Sequence, residues 1–153
     1  VNPARVPSPF DTPPRSRPNP PMSTPAPILL PTVTTVPQVR FSDTDAMGHI
    51  SSMSYAAWAE VGRADFFAAT GDPETPWFVL VRLALDFHSE GRFGEDFTLV
   101  TRPKRLGGKS LTLEQIVSVG DRKVCTIEVV LAAFDPETRK SRAVSPAWKL
   151  PEG

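Results

Sequence analysis

The sequence predicts an α+β domain in which an antiparallel sheet curves around one long helix. Three observations carry that prediction. Residues 51–70 form a nearly chargeless run with helix signals at both ends, the segments after it alternate or run apolar at strand length, and short polar or glycine-containing turns separate them. With 153 residues, 40% of them hydrophobic, the chain has material for one ordinary core, and no second domain is expected.

Residues 1–31 hold eleven of the eighteen prolines and show neither a period of 2 nor of 3.6. Such a segment buries too little apolar surface to offset its ordering entropy, so a disordered arm is expected there, with residues 32–153 as the folded domain. Met22-Ser23-Thr24 has the look of a translational start, which makes residues 1–21 an expected gene-model extension. A proline-rich ligand for a partner domain is the alternative use of the arm.

Residues 32–41 are rich in β-branched side chains and predict a first strand, interrupted or edged at Pro37. The helix follows a polar loop. Ser51 or Ser52 suits its N-cap, and Thr70-Gly71-Asp72-Pro73 stops it, since Gly takes the left-handed turn and Pro cannot continue. Apolar residues cover most of its circumference, so it is expected to be enclosed on several sides, with Ala56, Ala57, Ala59, Gly62 and Ala64 letting a sheet approach closely.

Residues 77–88 are apolar enough to predict a central strand, with Val79, Val81, Leu83, Leu85 and Phe87 on one face. Strands follow at 97–105, 110–119 and 123–134, the last two joined by a Gly120-Asp121 hairpin, with a short final extension at 143–150. In the strand at 110–119, Leu111, Leu113, Gln115 and Val117 share one face. Trp58, Trp77 and Trp148 are expected in the core or a pocket wall.

Seventeen basic residues balance seventeen acidic ones, which argues against a generic binder of nucleic acid or anionic membrane. The single Cys125 excludes an intrachain disulfide and a multi-cysteine metal site, and fits a reducing, cytoplasmic compartment. Its strand position suits a small core hydrophobe better than a nucleophile. No run of 18 apolar residues exists, so no membrane span is expected, and Ile28-Leu29-Leu30 is too short for a signal-peptide core.

The run Val39-Arg40-Phe41-Ser42-Asp43-Thr44-Asp45-Ala46-Met47-Gly48-His49-Ile50, followed by Tyr55, Glu60 and Arg63, resembles the start of the 4-hydroxybenzoyl-CoA thioesterase-like branch of the hotdog superfamily. Order and spacing agree over residues 33–150, including Asp86-Phe87, the Gly94-Glu95 turn and Gly108-Lys109-Ser110. The resemblance implies a hotdog fold, a homodimer or homotetramer with active sites at the subunit interface, and hydrolysis of an acyl-CoA or acyl-carrier-protein thioester without metal or organic cofactor.

Asp45 falls where the branch carries its catalytic carboxylate, as nucleophile on the thioester carbonyl or as base for a water; the residues alone suggest a turn or capping role. Unpaired amides around Gly48 to Ser52 are expected to hold the carbonyl oxygen at the positive end of the helix dipole. His49 either orients the substrate or fixes the loop, and Tyr55 either lines the acyl pocket or packs. Glu60 either pairs with Arg63 or orients the water. Ser51-Ser52 stands where the branch has an Asn pair, a departure that bears on substrate class. Arg102, Lys104, Arg105 and Lys109 form a basic patch; Lys109 and Ser110 match the position that contacts the CoA tail in similar enzymes, and the turn from Arg105 to Ser110 is expected to grip CoA, with a solvated hairpin edge as the alternative. A non-catalytic acyl-CoA-binding or assembly protein is the rival reading. A hotdog hydratase or dehydratase is a weaker one, since the Asn-Pro loop of those enzymes is absent.

Overall fold

The structure, a computed structural model, describes residues 26–152. The first 25 residues, and with them the expected gene-model extension, the proline-rich ligand and most of the expected arm, lie outside the described residues.

Helix α1 spans Ser52–Ala69, with Ser51 as its extended N-cap. The Ser51 hydroxyl accepts from the Ser54 amide at 3.4 Å and meets Ser54 Oγ at 3.0 Å, satisfying donors that the first helical turn leaves open. At the other end Gly71 takes φ +64°, as the sequence requires of a helix stop.

The strands are β1 (Ile28–Leu29), β2 (Val33–Thr35), β3 (Trp77–Phe87), β4 (Phe97–Leu106), β5 (Ser110–Val119), β6 (Arg122–Asp135), β7 (Lys140–Ser141) and β8 (Trp148–Lys149). One antiparallel sheet has the order β2-β4-β5-β6-β3, with β7 pairing β6. Gly120, at φ +54°, turns β5 into β6 in two residues.

Bulges curl this sheet around the helix. The register slips between Leu80 and Arg82 on β3, between Pro103 and Arg105 on β4, and between Val117 and Ser118 on β5, where β6 carries the extra residue Val124. Each slip leaves one residue unmatched and bends the strand pair. The concave face of β4, β5 and β6 supplies most of the core: Leu99, Leu111, Leu113, Val117, Ile127 and Val129 are all 0% exposed. The predicted alternation of β5 is therefore borne out, and Cys125 sits in the same core, fully buried.

Four expectations are corrected. Ile28–Leu29, inside the expected arm, pairs in parallel with Trp148–Lys149; Leu30 is 1% exposed and joins the core with Ile28 packed against it, while Leu29 stays exposed. The first strand is only three residues long, because the chain leaves the sheet at Val36-Pro37 and enters a 3-10 turn at Phe41–Asp43. The helix is covered on one side only: Tyr55, Trp58, Ala59, Gly62 and Phe66 are buried, while Met53, Ala57, Val61 and Ala64 face outward.

Strand β3, fourth, is an edge rather than a central strand. Its bulge at Val81 also breaks the predicted face: Leu80 lies opposite core Leu131, whereas Leu83 and Leu85 lie opposite Val129 and Ile127. Trp77, Val79, Leu80, Val81 and Phe87 are all exposed, Trp77 by 72%, so Trp77 is no core residue. Trp58 and Trp148 are core residues as expected. The apolar surplus of helix and edge strand reads in sequence as burial within the chain, yet the described residues do not bury it. No helix among the described residues is long and apolar enough to cross a membrane.

Candidate active site

The loop before the helix is closed by Asp45. Its Oδ1 accepts from the amides of Met47 (2.8 Å) and His49 (3.1 Å), and its own amide donates to the His49 carbonyl at 2.7 Å. Gly48 takes φ +76° in the tight turn between them. A second loop, following β3, is laced to the first: His49 and Arg92 form a β-bridge, and the Ile50 amide donates to the Gly91 carbonyl at 2.7 Å.

Between the two loops and the start of α1 lies an open recess of about 480 Å³, lined by Asp45, His49, Ser52, Tyr55, Phe87 and Glu90 among others. Asp45 is exposed to it, with Oδ1 occupied by the loop and no hydrogen-bond partner on Oδ2 among the described residues. Tyr55 is 2% exposed and packs edge-on against Trp58 and Phe87, and it also lines the recess. Burial, above all, pushes its phenol up to about 12.

The helix-entry amides are fewer than the sequence suggests. Those of Gly48, His49, Ile50 and Ser51 are spent on Asp45 O, Asp45 Oδ1, Gly91 O and Asp43 O, leaving Ser52 and then Met53 as the first free donors among the described residues. Ser51 is consumed as the N-cap, whereas Ser52 faces the recess.

Glu60 does not join this group. It lies eight residues along the helix from Ser52, about 12 Å at 1.5 Å per residue, and lines a separate hollow with Arg63, Phe78 and Leu80. Its side chain is 80% exposed and stands 3.7 Å from Arg63 Nη2, the intrahelical pairing foreseen as one of its two uses.

The basic turn is also remote within one chain. Phe97, where β4 begins, borders Gly91 and the recess, while Arg105 to Ser110 sit at its other end, about 30 Å away at 3.3 Å per residue. Two of the four basic residues are neutralised: Arg102 bonds Glu114, and Lys104 bonds Glu128 at 2.9 Å. Arg105 and Lys109 keep exposed side chains with no carboxylate partner among the described residues, Lys109 Nζ reaching only Ser141 Oγ at 3.4 Å.

Two side chains in the recess were not foreseen. Glu90 Oε2 stands 3.0 Å from His49 Nε2, and His88 Nε2 bonds Thr126 Oγ1 at 2.8 Å. The available signal was the polar run His88-Ser89-Glu90-Gly91 directly after an apolar strand, which reads as an ordinary turn.

The model of the thioesterase superfamily matches residues 47–126, just over half of the chain. The chain belongs to the thioesterase superfamily. The single helix against a curled antiparallel sheet is the hotdog fold of its structural relatives. A probable thioesterase from Bartonella henselae is 26% identical at a TM-score of 0.65, covering 74% of this chain and 97% of that one. A predicted thioesterase from Bacillus stearothermophilus is 25% identical at 0.68, covering 76% and 90%. A thioesterase from Thermus thermophilus, complexed with coenzyme A and Zn, is 23% identical at 0.67, covering 74% and 86%, and speaks for the fold alone. No curated protein matches the chain. The superfamily match begins at Met47, so Asp45 stands just ahead of it while His49, Tyr55 and Glu90 lie within.

Proposed function

We propose that this thioesterase-superfamily protein hydrolyses an acyl-CoA or acyl-carrier-protein thioester to the free acid and thiol, with Asp45 as base or nucleophile. The observation that carries the reading is the position of the Asp45 carboxylate. One oxygen is fixed by two loop amides, and the group opens on a recess bordered by the first free amides of a helix.

Two routes balance. As nucleophile, Asp45 adds to the thioester carbonyl and expels the thiolate, leaving an acyl-aspartyl anhydride that water cleaves. As base, it takes a proton from a water that attacks the same carbon, and the thiolate departs once the tetrahedral adduct collapses. In both, negative charge grows on the carbonyl oxygen, and the Ser52 and Met53 amides with the helix dipole behind them are suited to receive it. Tyr55 and Phe87 offer apolar surface to the acyl group.

The site is completed by a second copy. Strand β3 offers eleven residues of edge, and its exposed apolar side chains call for cover. Two-fold antiparallel pairing of β3 edges would set the Phe87 end of one copy beside the Trp77 end of the other. Since Ser110 aligns with Ala132 and Ala132 with Val79, the partner's basic turn would arrive near the recess, where Arg105, Lys109 and Ser110 could grip the phosphates of CoA. The reading carries a homodimer or homotetramer, no metal or organic cofactor, and a cytoplasmic location consistent with one buried thiol.

The test is steady-state hydrolysis of acetyl-, octanoyl-, palmitoyl- and benzoyl-CoA by the wild type and Asp45→Asn, with CoA release followed by a thiol reagent. The expected outcome is turnover that falls at least about 100-fold in the variant, the scale of a lost acid or base. Tight acyl-CoA binding without turnover on CoA or carrier-protein thioesters would leave an acyl-binding protein instead.

A further inference from the structure

The hydrolysis reading leaves Glu90 unused, although each of its two carboxylate oxygens faces a named partner. Its Oε1 accepts from Arg92 Nε (3.0 Å) and Nη2 (2.7 Å), while its Oε2 is turned to His49 Nε2 at 3.0 Å. The backbone holds both partners in register through the His49–Arg92 bridge and the Ile50 to Gly91 hydrogen bond. Gly91 itself has no room to shift outward with a side chain, because a β-carbon there would fall 2.5 Å from Tyr55 Oη. Arg122 pins the same loop by donating to the Glu90 carbonyl and, at 3.1 Å, to Ser89 Oγ.

We propose that Glu90 is a positioning residue for His49, fixing the orientation of the ring and keeping its hydrogen on Nε2, so that Nδ1 is the nitrogen left to exchange protons in the recess. This deepens the thioesterase reading and rests on it. At this ion-pair distance of 3.0 Å, an ionised carboxylate, which accepts and never donates, favours a hydrogen on the ring nitrogen beside it by its charge. The opposite tautomer would set the bare Nε2 lone pair beside a carboxylate charge. Hydrogen bonds from Arg92, then its charge, hold the Glu90 carboxyl below the usual carboxylate range, so it is ionised at neutral pH. A neutral imidazole with its hydrogen on one nitrogen offers only the other as acceptor, the arrangement by which carboxylates direct working histidines.

The contact is specific to one of the two histidines. His88 lines the same recess but spends its Nε2 on Thr126, so the pair has no second imidazole to draw on. The charged groups nearest the pair are Asp45 on the first loop, and Arg92, Glu95 and Arg122 about the second, with Glu95 bonded by Arg122 Nη2 at 2.5 Å and therefore not free to replace Glu90.

The test is a double-mutant cycle of Glu90→Leu and His49→Ala in the full chain, using the fastest thioester of the acyl-CoA panel. The expected result is a fall in kcat of at least about 10-fold in Glu90→Leu, part of the range for acid–base groups, with KM within twofold and no further loss when it is added to His49→Ala. Glu90→Asp should recover part of the rate. An equal loss in the His49→Ala background, or none in either, overturns the proposal. Because the chain has two histidines, 15N-labelled rings provide a readout independent of turnover. Glu90→Leu should move the His49 ring signals and leave those of His88 in place. If the wild type turns over no thioester, the hydrolysis reading fails while these signals still decide the pairing; unmoved His49 signals overturn it. Thermal unfolding of each variant checks that the fold is intact.

Discussion

Gly62 on the helix and Leu99 on β4 approach so closely that a β-carbon at residue 62 would lie 2.6 Å from Leu99 Cδ2. The same β-carbon would fall 2.8 Å from Thr101 Oγ1 and 2.9 Å from Gln115 Nε2. Gln115 is not free to retreat, since its Nε2 donates to the Ala59 carbonyl at 2.9 Å and to Thr101 Oγ1 at 3.0 Å. Gly62→Ala is therefore expected to destabilise the domain by about 1–3 kcal/mol, the cost of overpacking a tight core, in spite of alanine's better helix propensity. Thermal unfolding checks this, and a Tm equal to wild type would show that the helix can lift off the sheet.

The distance between Asp45 and the Arg105 to Ser110 turn yields a prediction about subunits. Asp45→Asn protein and an Arg105→Ala/Lys109→Ala double variant should each hydrolyse acyl-CoA poorly. Mixed and allowed to exchange, they should regain activity, because one of the two sites in a hybrid dimer combines an intact Asp45 with an intact turn from the other copy. Activity of the mixture no greater than the sum of its parts would place both groups of each site on one chain.

Burial pushes the Cys125 thiol up to about 12, with the Asp86 charge adding to the effect. The sole thiol should thus be inert to a disulfide reagent at pH 8 in the folded protein and react fully in denaturant. The unfolded thiol ionises near its ordinary value of 9.0 and the folded one near 12, so the unfolded state binds fewer protons in between. Stability should fall as pH rises across that window, and Cys125→Val should flatten the fall up to about pH 10, where Tyr55 begins to contribute in the same direction. Unfolding midpoints at pH 8, 9 and 10 read this directly.

At the acid end the sign is opposite. Glu90 is held below its ordinary value of 4.5 by the Arg92 hydrogen bonds first, then by the charges of Arg92 and His49. Its pairing should be fully present above pH 4.5 and be lost as pH falls through the lowered value. The Arg92 side-chain Nε signal should shift as the pH falls below 4.5 and the hydrogen bond to Glu90 is lost. In Glu90→Leu that acid shift should be absent.

The legible parts of this protein were those set by local signals. Ser51 and Gly71 marked the helix ends, and the alternation from Leu111 to Val117 marked the buried face of β5, because caps and period-2 burial act within a few residues. Strand β3 failed in the opposite way. Its apolar run implies burial on both faces, and a single chain leaves its outer edge bare; the Val81 bulge then moves Leu80 to the face that strict alternation denies it.

At the site, Asp45, His49, Ser52 and Tyr55 come together because they follow one another through a loop and the first turn of a helix. Glu90 was hidden because it reaches His49 across 41 residues of chain, a pairing made by β-bridge register and not by any local spacing. The expected row of free amides shrank for a related reason. A tight loop spends its own donors, here four of them, on holding its shape.

Ile28–Leu29 and Trp148–Lys149 lie side by side and run in the same direction, so the first and last strands of the domain are neighbours at one corner. The fold is in effect a loop of chain with its seam at that corner. Trp148 there bonds Asp72, just past the C-terminal end of α1, whereas Asp45 precedes its N-terminal end. A circular permutant that bridges the two strands with a short glycine-rich linker, and opens instead in the exposed turn at 136–139, should retain the recess, because the order in which the strands are threaded is separable from the contacts that build the site.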